Sequence, residues 1–255
     1  AYGTAGHSSM PSDDNAVYRL SQALSKISQY NAPARMTPTT YKFFKAIAPL
    51  QDEDAQTTMH FLLGADEKNR AMAAEIVALD PFFRTQLKNT ITPTVLTGGK
   101  DSGATSSEAS ALLNARLLPG TDPDTFLEEL KKLFEGDDEI SLEVVEQPEL
   151  PFPAPMDGSD PLFASIEKAG DRLVPHSITV PGMSPASGDS EFLRRKGVIT
   201  YGLGPNMDPT QENRTHGADE FISVKDLSDQ LKFVASVVYD FAAGQEFPLP
   251  AVNQK

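Results

Sequence analysis

The chain has 255 residues, of which 39% are hydrophobic and 23% charged, a composition typical of a globular protein with one or two domains. Its formal net charge of −14 argues against nucleic acid and against an anionic membrane surface, because both are bound by clustered Lys and Arg. Without cysteine the chain has no disulfide or thiolate metal site, and its sequence has no apolar run as long as a membrane span.

The first third of the chain predicts a strand, a helix and a helical insertion. Residues 1–5 lack an initiator Met and run directly into a polar motif, like a strand entered partway along. Apolar spacing predicts a helix over 13–27, with Asp13 or Asp14 as its cap. Over residues 31–83 the pattern is helical but interrupted by prolines, which predicts short helices packed in an insertion.

The next segment predicts three strands and one helix. Residues 90–97 are rich in β-branched side chains, and residues 107–117 alternate between polar and apolar. A turn then leads into a helix with Asp122 as N-cap and Pro123 at its first position. Residues 140–145 predict a further strand.

A proline-rich segment predicts the domain boundary. Residues 147–161 contain five prolines, as is typical of a linker. The elements before it have the order strand, helix, insertion, strand, strand, helix, strand. This order predicts a ferredoxin-like α+β domain over residues 1–150.

Residues 151–255 predict the end of an α/β domain. Helices are expected from residue 160, over 189–195 and after Ser223, with strands over 177–180 and 198–202. The last helix has an apolar face that consists of Leu227, Leu231, Val234, Val238 and Phe241. So few strands make a thin domain, and we expect partner segments to complete it.

The chain has four histidines, His7, His60, His176 and His216. A catalytic zinc usually takes about three protein ligands, and a two-metal site needs more, so we expect that this chain alone cannot assemble such a site. His216 stands beside Asp219 and Glu220, which would orient its ring; the alternative is a surface histidine near an acidic helix start. We interpret His60 and His176 as structural.

Three further positions are candidates for binding or catalysis. His7 is either a donor to a developing oxyanion or a turn histidine before a helix. Arg116 lies in an apolar run, where its planar fork would bind a carboxylate of a substrate or of an internal salt bridge. The turn at Gly188 and Asp189 opens a short helix whose N–H groups would hold an anion, although small residues are common at such positions.

Five sequence strings, in this order, resemble the aminoacylase and carboxypeptidase family of zinc metallopeptidases, in particular its carboxypeptidase S-like branch. They are GHSSMPSDDNAV (6–17), NTITPTVLTGG (89–99), EASALLNARLLPGTD (108–122), GDSEFLRRKGVITYGLGP (188–205) and THGADEFISV (215–224). The resemblance covers nearly the whole chain, more loosely over 31–83. It departs from the family at 103–106, where the family has Asn-Val-Ile-Pro, and at Gly188, where Thr is more frequent.

The resemblance implies a ferredoxin-like dimerisation or lid domain followed by the C-terminal part of an α/β zinc-peptidase catalytic domain. His216 would be a zinc ligand, and His7 would reach the active site of the other subunit to stabilise the oxyanion. Arg116 would hold the substrate carboxylate, and Gly188 with Asp189 would line the pocket. The full enzyme would bind two zinc ions, with its other ligands and a Glu base upstream of residue 1.

Two hypotheses about function follow. In the first, the chain is part of a zinc-dependent hydrolase that acts on small peptides or N-acyl amino acids, forms a homodimer through the lid and is inactive without its N-terminal catalytic segment. In the second, it is a non-catalytic dimerisation or interaction module. The compartment stays open, and an extracytoplasmic one, secreted or periplasmic, is favoured over the cytoplasm.

Overall fold

The computed structural model describes residues 1–146, 157–184, 188–203 and 216–244. The chain divides into two compact units. We call Ala1–Thr37 with Asp52–Phe152 the sheet unit, and Pro38–Gln51 with Pro153–Lys255 the helix unit. The predicted division at residue 150 between a lid and a catalytic segment stays a prediction about the whole enzyme.

In the described residues the strands are β1 (Gly6–His7), β2 (Thr90–Gly98), β3 (Ala104–Thr105) and β4 (Ala109–Arg116). The α-helices are α1 (Ala16–Gln29), α2 (Pro38–Ile47), α3 (Glu53–Leu63), α4 (Glu67–Val77), α5 (Pro81–Leu87), α6 (Pro123–Lys131), α7 (Pro161–Leu173), α8 (Ser190–Arg195) and α9 (Val224–Ala243). Short 3₁₀ helices follow α2 at Ala48–Leu50 and α6 at Lys132–Phe134. No helix in these ranges combines the length and the hydropathy needed to cross a membrane.

The strands of the sheet unit pair antiparallel, two by two. β2 lies against β4 from Thr90 opposite Arg116 to Gly98 opposite Ala109, with an irregularity after Pro93, which has no N–H for the ladder. β1 pairs with β3. The strand expected at the start of the chain is present only as an isolated antiparallel bridge between Tyr2 and Glu108. The predicted single ferredoxin-like sheet therefore stays a prediction beyond these pairs.

Helices α1 and α6 form the core of the sheet unit with the strands. Ile27, Phe126 and Phe134 are buried there, and Ile91 of β2 and Leu113 of β4 pack against them. Phe126 and Leu130 of α6 both face this core, because apolar residues spaced four apart share one side of a helix.

Local capping decides where the helices of this core begin. The Asp122 carboxylate accepts the Thr125 N–H at 3.1 Å, as predicted. The cap predicted for α1 is wrong. Asn15 caps that helix, because its extended backbone lets Oδ1 accept the Val17 N–H at 2.8 Å, whereas Asp14 binds Arg19.

The strand predicted over residues 140–145 is wrong. That segment has no regular structure, although Ile140 and Leu142 pack, half-buried, against the α1–α6 core. Their burial accounts for the apolar pattern, but a strand also needs a partner backbone, which the pattern does not supply.

The predicted short helices over 31–83 are confirmed, but they do not form one body. α3, α4 and α5 belong to the sheet unit, whereas α2 belongs to the helix unit. The Lys88 ammonium, at the end of α5, binds the Glu75 carboxylate of α4 at 2.6 Å and Asn31 at 2.8 Å. This buried cation ties the helices to the start of β2.

In the helix unit, α7 packs against α9 through Ile166, Ala169 and Val237. The Arg172 guanidinium forms an ion pair with Asp240 across this contact, at 3.0 Å. The predicted start of α7 is confirmed, since Asp160 accepts from the N–H groups of the first turn. The predicted start of α9 after Ser223 is also confirmed, since the Ser223 hydroxyl oxygen accepts the Asp226 N–H at 3.0 Å.

The strands predicted for this unit are wrong in the described residues. Residues 177–180 and 198–202 are not in strands, because they have no neighbouring strand there to pair with. The predicted apolar face of α9 is exposed, from 39% at Val234 to 63% at Leu231, as expected for a domain that needs partner segments, while Ser236, Val237 and Asp240 are buried. An apolar helix face is therefore left open on this unit.

Candidate functional site

His7 lies at the end of β1, where pairing with β3 holds its backbone opposite Ala104. Its ring is exposed, and Nδ1 contacts the Ser9 hydroxyl at 2.8 Å and the Ser9 backbone N–H at 3.2 Å. A backbone N–H can only donate, so Nδ1 accepts in this arrangement and the neutral ring carries its proton on Nε2. His7 therefore presents a hydrogen-bond donor to the outside, as an oxyanion donor would.

The loop beside His7 contains polar groups that sequence reasoning largely missed. Ser8 donates its backbone N–H to the Gly103 carbonyl at 2.9 Å. A shallow depression of about 460 Å³ lies next to this contact, between residues 98–106 and the start of α1. Asp101 and Ser102, which precede the stretch 103–106 that departs from the family pattern, line it. Its other wall, including Tyr18, is distant in sequence, so no local pattern signals the depression.

Arg116 is the last residue of β4 and pairs with Thr90. Its side chain is exposed, and it forms no ion pair with any carboxylate in the described part of the chain. The internal salt bridge considered as its alternative role is therefore not found there. The guanidinium is open to an external anion, for which its planar fork is suited.

The geometry keeps His7 and Arg116 apart within one sheet unit. Ala104, the pairing partner of His7, and Arg116 are joined by a largely extended segment that includes β3 and β4. An extended strand rises about 3.3 Å per residue, which places its ends on the order of 30 Å apart. One small substrate cannot touch both side chains of the same sheet unit.

In the helix unit, Asp189 precedes α8, but its side chain makes no capping bond. A Cβ added at Gly188 would meet no atom of the described residues within 4 Å. The turn is thus open to a ligand, although so short a helix gives no anion site by itself. Its role as a substrate-binding turn remains a prediction.

His216 stands in a turn with a left-handed backbone, at φ 66°, which is uncommon for a residue other than Gly. Its backbone N–H donates to the Glu220 carboxylate at 3.1 Å. The sequence suggested that Glu220 would orient the His216 ring. In the structure Glu220 instead holds the His216 backbone. The exposed ring is available as a ligand.

The described residues do not by themselves make up a metal centre. Nowhere in the described ranges do three or more His, Asp or Glu side chains stand together in a way that could hold a metal ion. His216 would supply one ligand, whereas a catalytic zinc takes about three from protein. Any zinc site that includes His216 therefore needs ligands from elsewhere.

Comparison with known proteins relates this chain to hydrolases. It is 23% identical over 248 residues to the human N-fatty-acyl-amino acid synthase/hydrolase PM20D1, covering 95% of this chain and 48% of that protein. It is 20% identical over 230 residues to the probable carboxypeptidase S-like 2 of Dictyostelium discoideum, covering 89% of this chain and 43% of that protein. No solved structure matches.

A bacterial dipeptidase and a family model also match. The Beta-Ala-Xaa dipeptidase of Lactobacillus delbrueckii subsp. lactis is 27% identical over 142 residues, which are 54% of this chain and 27% of that protein. The chain thus spans less than half of the length of each of these relatives. The model of the peptidase dimerisation domain of the M20 family matches residues 1–139. The chain therefore belongs to the M20 peptidases, a family of hydrolases, and contains their dimerisation domain.

Proposed function

We propose that this chain provides the lid and the C-terminal catalytic segment of a zinc-dependent hydrolase, which cleaves a peptide or N-acyl amide bond next to a free carboxylate. The match of residues 1–139 to the peptidase dimerisation domain carries the proposal. Relatives named as an N-fatty-acyl-amino acid hydrolase and a dipeptidase support this substrate class.

Arg116 is proposed to bind the substrate carboxylate. Its guanidinium is exposed at the end of β4 and has no ion pair within the described residues, so no internal carboxylate competes there for the substrate. A bidentate pair fixes the orientation of a carboxylate as well as its position. The scissile bond next to that carboxylate would be held in register with the catalytic groups.

His7 is proposed to stabilise the oxyanion through its Nε2–H, because Nδ1 is engaged by Ser9. Since His7 and Arg116 lie far apart on one lid, a site that uses both takes them from different subunits. A homodimer formed through the dimerisation domain would supply both. The proposed active site is therefore composite.

The metal-binding part of the proposal extends beyond the described residues. His216 would be one zinc ligand, and zinc would supply polarisation of the carbonyl and an activated water. The remaining ligands and a Glu base would come from the part of the enzyme that relatives have and these 255 residues do not cover. That part would also bury the exposed apolar face of α9.

The proposal is tested by kinetics of the complete gene product. The hydrolysis rate of each N-acyl amino acid is compared with that of its carboxamide, which lacks the charge that Arg116 would bind. Arg116→Ala should raise KM for the acid about 10- to 100-fold, as expected for loss of a charged hydrogen bond, and should remove the preference for acid over carboxamide. Arg70→Ala is the control, because Arg70 is likewise an exposed arginine.

Two results would contradict the proposal. Retained preference for the free acid in Arg116→Ala would remove Arg116 from the site. A complete gene product that hydrolyses no amide and binds no zinc would favour the non-catalytic dimerisation module instead.

A further inference from the structure

Helix α2 connects the two units in a way that their order in the sequence does not suggest. The chain leaves the sheet unit after Thr37, forms α2 within the helix unit, and returns to the sheet unit at Asp52. It crosses to the helix unit again after Phe152. The two units are therefore joined by three chain crossings, where a lid placed before a C-terminal segment needs one.

One side of helix α2 is buried. Thr40 and Phe44 are fully buried, and Thr39 and Phe43 nearly so. Phe43 and Phe44 meet edge to face, with ring centroids 5.2 Å apart. Two buried aromatic rings remove a large apolar area from water, so α2 is a packed helix rather than an exposed loop.

Specific contacts fix α2 to the later part of the chain. The Lys42 ammonium donates to the Asp157 carboxylate and to the Asp157 carbonyl, both at 2.9 Å. The Phe43 ring lies against Gly182, where an added Cβ would be 3.8 Å from Cδ2. The Ser159 hydroxyl and then Lys42 lower the pKa of Asp157 to about 2, so the carboxylate keeps its charge for this contact even in moderately acidic solution.

We propose that α2 is a conformational tether, a helix borne by the lid part of the sequence and anchored in the helix unit, which limits how far the lid can move. With a single crossing through the proline-rich segment, the units would be free to rotate about one linker. While α2 stays packed in the helix unit, a large movement of the lid must either stretch the short connections on both sides of α2 or pull Phe43 and Phe44 out of their packing. The tether thus confines the lid to small hinge movements.

The chain has no cysteine, so a pair of spin labels can be attached to two introduced cysteines without labelling any native residue. Labels at Gln22→Cys in α1 and Lys168→Cys in α7, both exposed positions, report the distance between the units by pulsed electron paramagnetic resonance. Phe44→Ala should broaden the distance distribution by loosening α2. Phe82→Ala, which removes a ring that is half exposed in α5, should leave the distribution as in the parent.

A charge series covers the case in which Phe44→Ala does not fold. Lys42→Glu places a carboxylate against Asp157 and should broaden the distribution, and the exchange Lys42→Glu with Asp157→Lys should narrow it again. Lys45→Glu reverses an exposed charge on the same helix and should have no effect. A distribution that is unchanged in Phe44→Ala or Lys42→Glu, or equally broadened in the controls, would overturn the tether.

Discussion

Replacing Glu75 with Ala tests how α4 and α5 of the sheet unit are held to each other. The Lys88 side chain is only 3% exposed, and its ammonium donates to both Glu75 oxygens, at 2.6 and 2.7 Å, and to Asn31. Without Glu75 the buried Lys88 ammonium would keep Asn31, a neutral side chain, as its partner. A buried charge deprived of its counter-ion is among the most destabilising changes in a protein interior.

The size of the effect follows from the unequal burial of the two partners. Because the Glu75 side chain is 55% exposed, water reaches one side of the pair and screens it. We therefore expect Glu75→Ala to lower the free energy of unfolding by about 2–3 kcal/mol, below the cost for a fully buried pair. Lys88→Met keeps the apolar stem and leaves Glu75 hydrated, so it should cost about 1 kcal/mol.

The contribution of the pair should depend on pH. Hydrogen bonds from Lys88, and then from Asn31, hold the pKa of Glu75 below its ordinary value of 4.5. A carboxylate whose pKa is lowered by folding stabilises the protein above the unfolded-state pKa and loses this effect as the pH falls through the folded-state pKa. The deficit of Glu75→Ala should therefore be full at pH 7 and shrink below about pH 4.5.

Urea unfolding followed by circular dichroism, at pH 7 and at pH 4, measures both effects. The double variant Glu75→Ala with Lys88→Met closes a thermodynamic cycle, and it should be more stable than Glu75→Ala alone because no buried cation is left unpaired. The reasoning is refuted if the two changes add independently, or if Lys88→Met is the more damaging one.

Three further substitutions test other parts of the structure by the same unfolding measurement. Asp160→Ala removes the cap of α7 and the partner of the Tyr201 hydroxyl, and should cost about 2 kcal/mol; an unchanged midpoint would contradict this. Gly120→Ala forces a side chain into a left-handed backbone at φ 81° and should cost about 1 kcal/mol. Gly188→Ala should leave the free energy of unfolding unchanged, because the new Cβ meets no described atom within 4 Å. Any loss of activity of the complete enzyme in this variant would then reflect the proposed place of Gly188 in the substrate pocket.

Features that depend on neighbours in sequence could be predicted, and those that depend on distant partners could not. The cap at Asp122 and the starts of α7 and α9 were predicted, because a capping side chain and the N–H groups it satisfies lie within one helical turn. The strands over 177–180 and 198–202 were not found in the described residues, since β-branched composition cannot provide a paired strand.

The candidate site follows the same division. The exposed positions of His7 and Arg116 agree with side chains available to a ligand, but their separation became clear only from the strand register. The contact of Glu220 with the His216 backbone depends on the local left-handed turn, which no residue pattern signals. The membership of α2 in the helix unit is likewise a consequence of tertiary packing.

Native mass spectrometry of the purified 255-residue chain, with zinc counted and amide hydrolysis assayed in the same sample, tests the central claim most directly. If the chain is the lid and C-terminal segment of a larger composite site, it should form a dimer that holds no stoichiometric pair of zinc ions and hydrolyses no N-acyl amino acid. A monomer, or a chain that binds two zinc ions and hydrolyses such substrates without any further segment, would contradict the account.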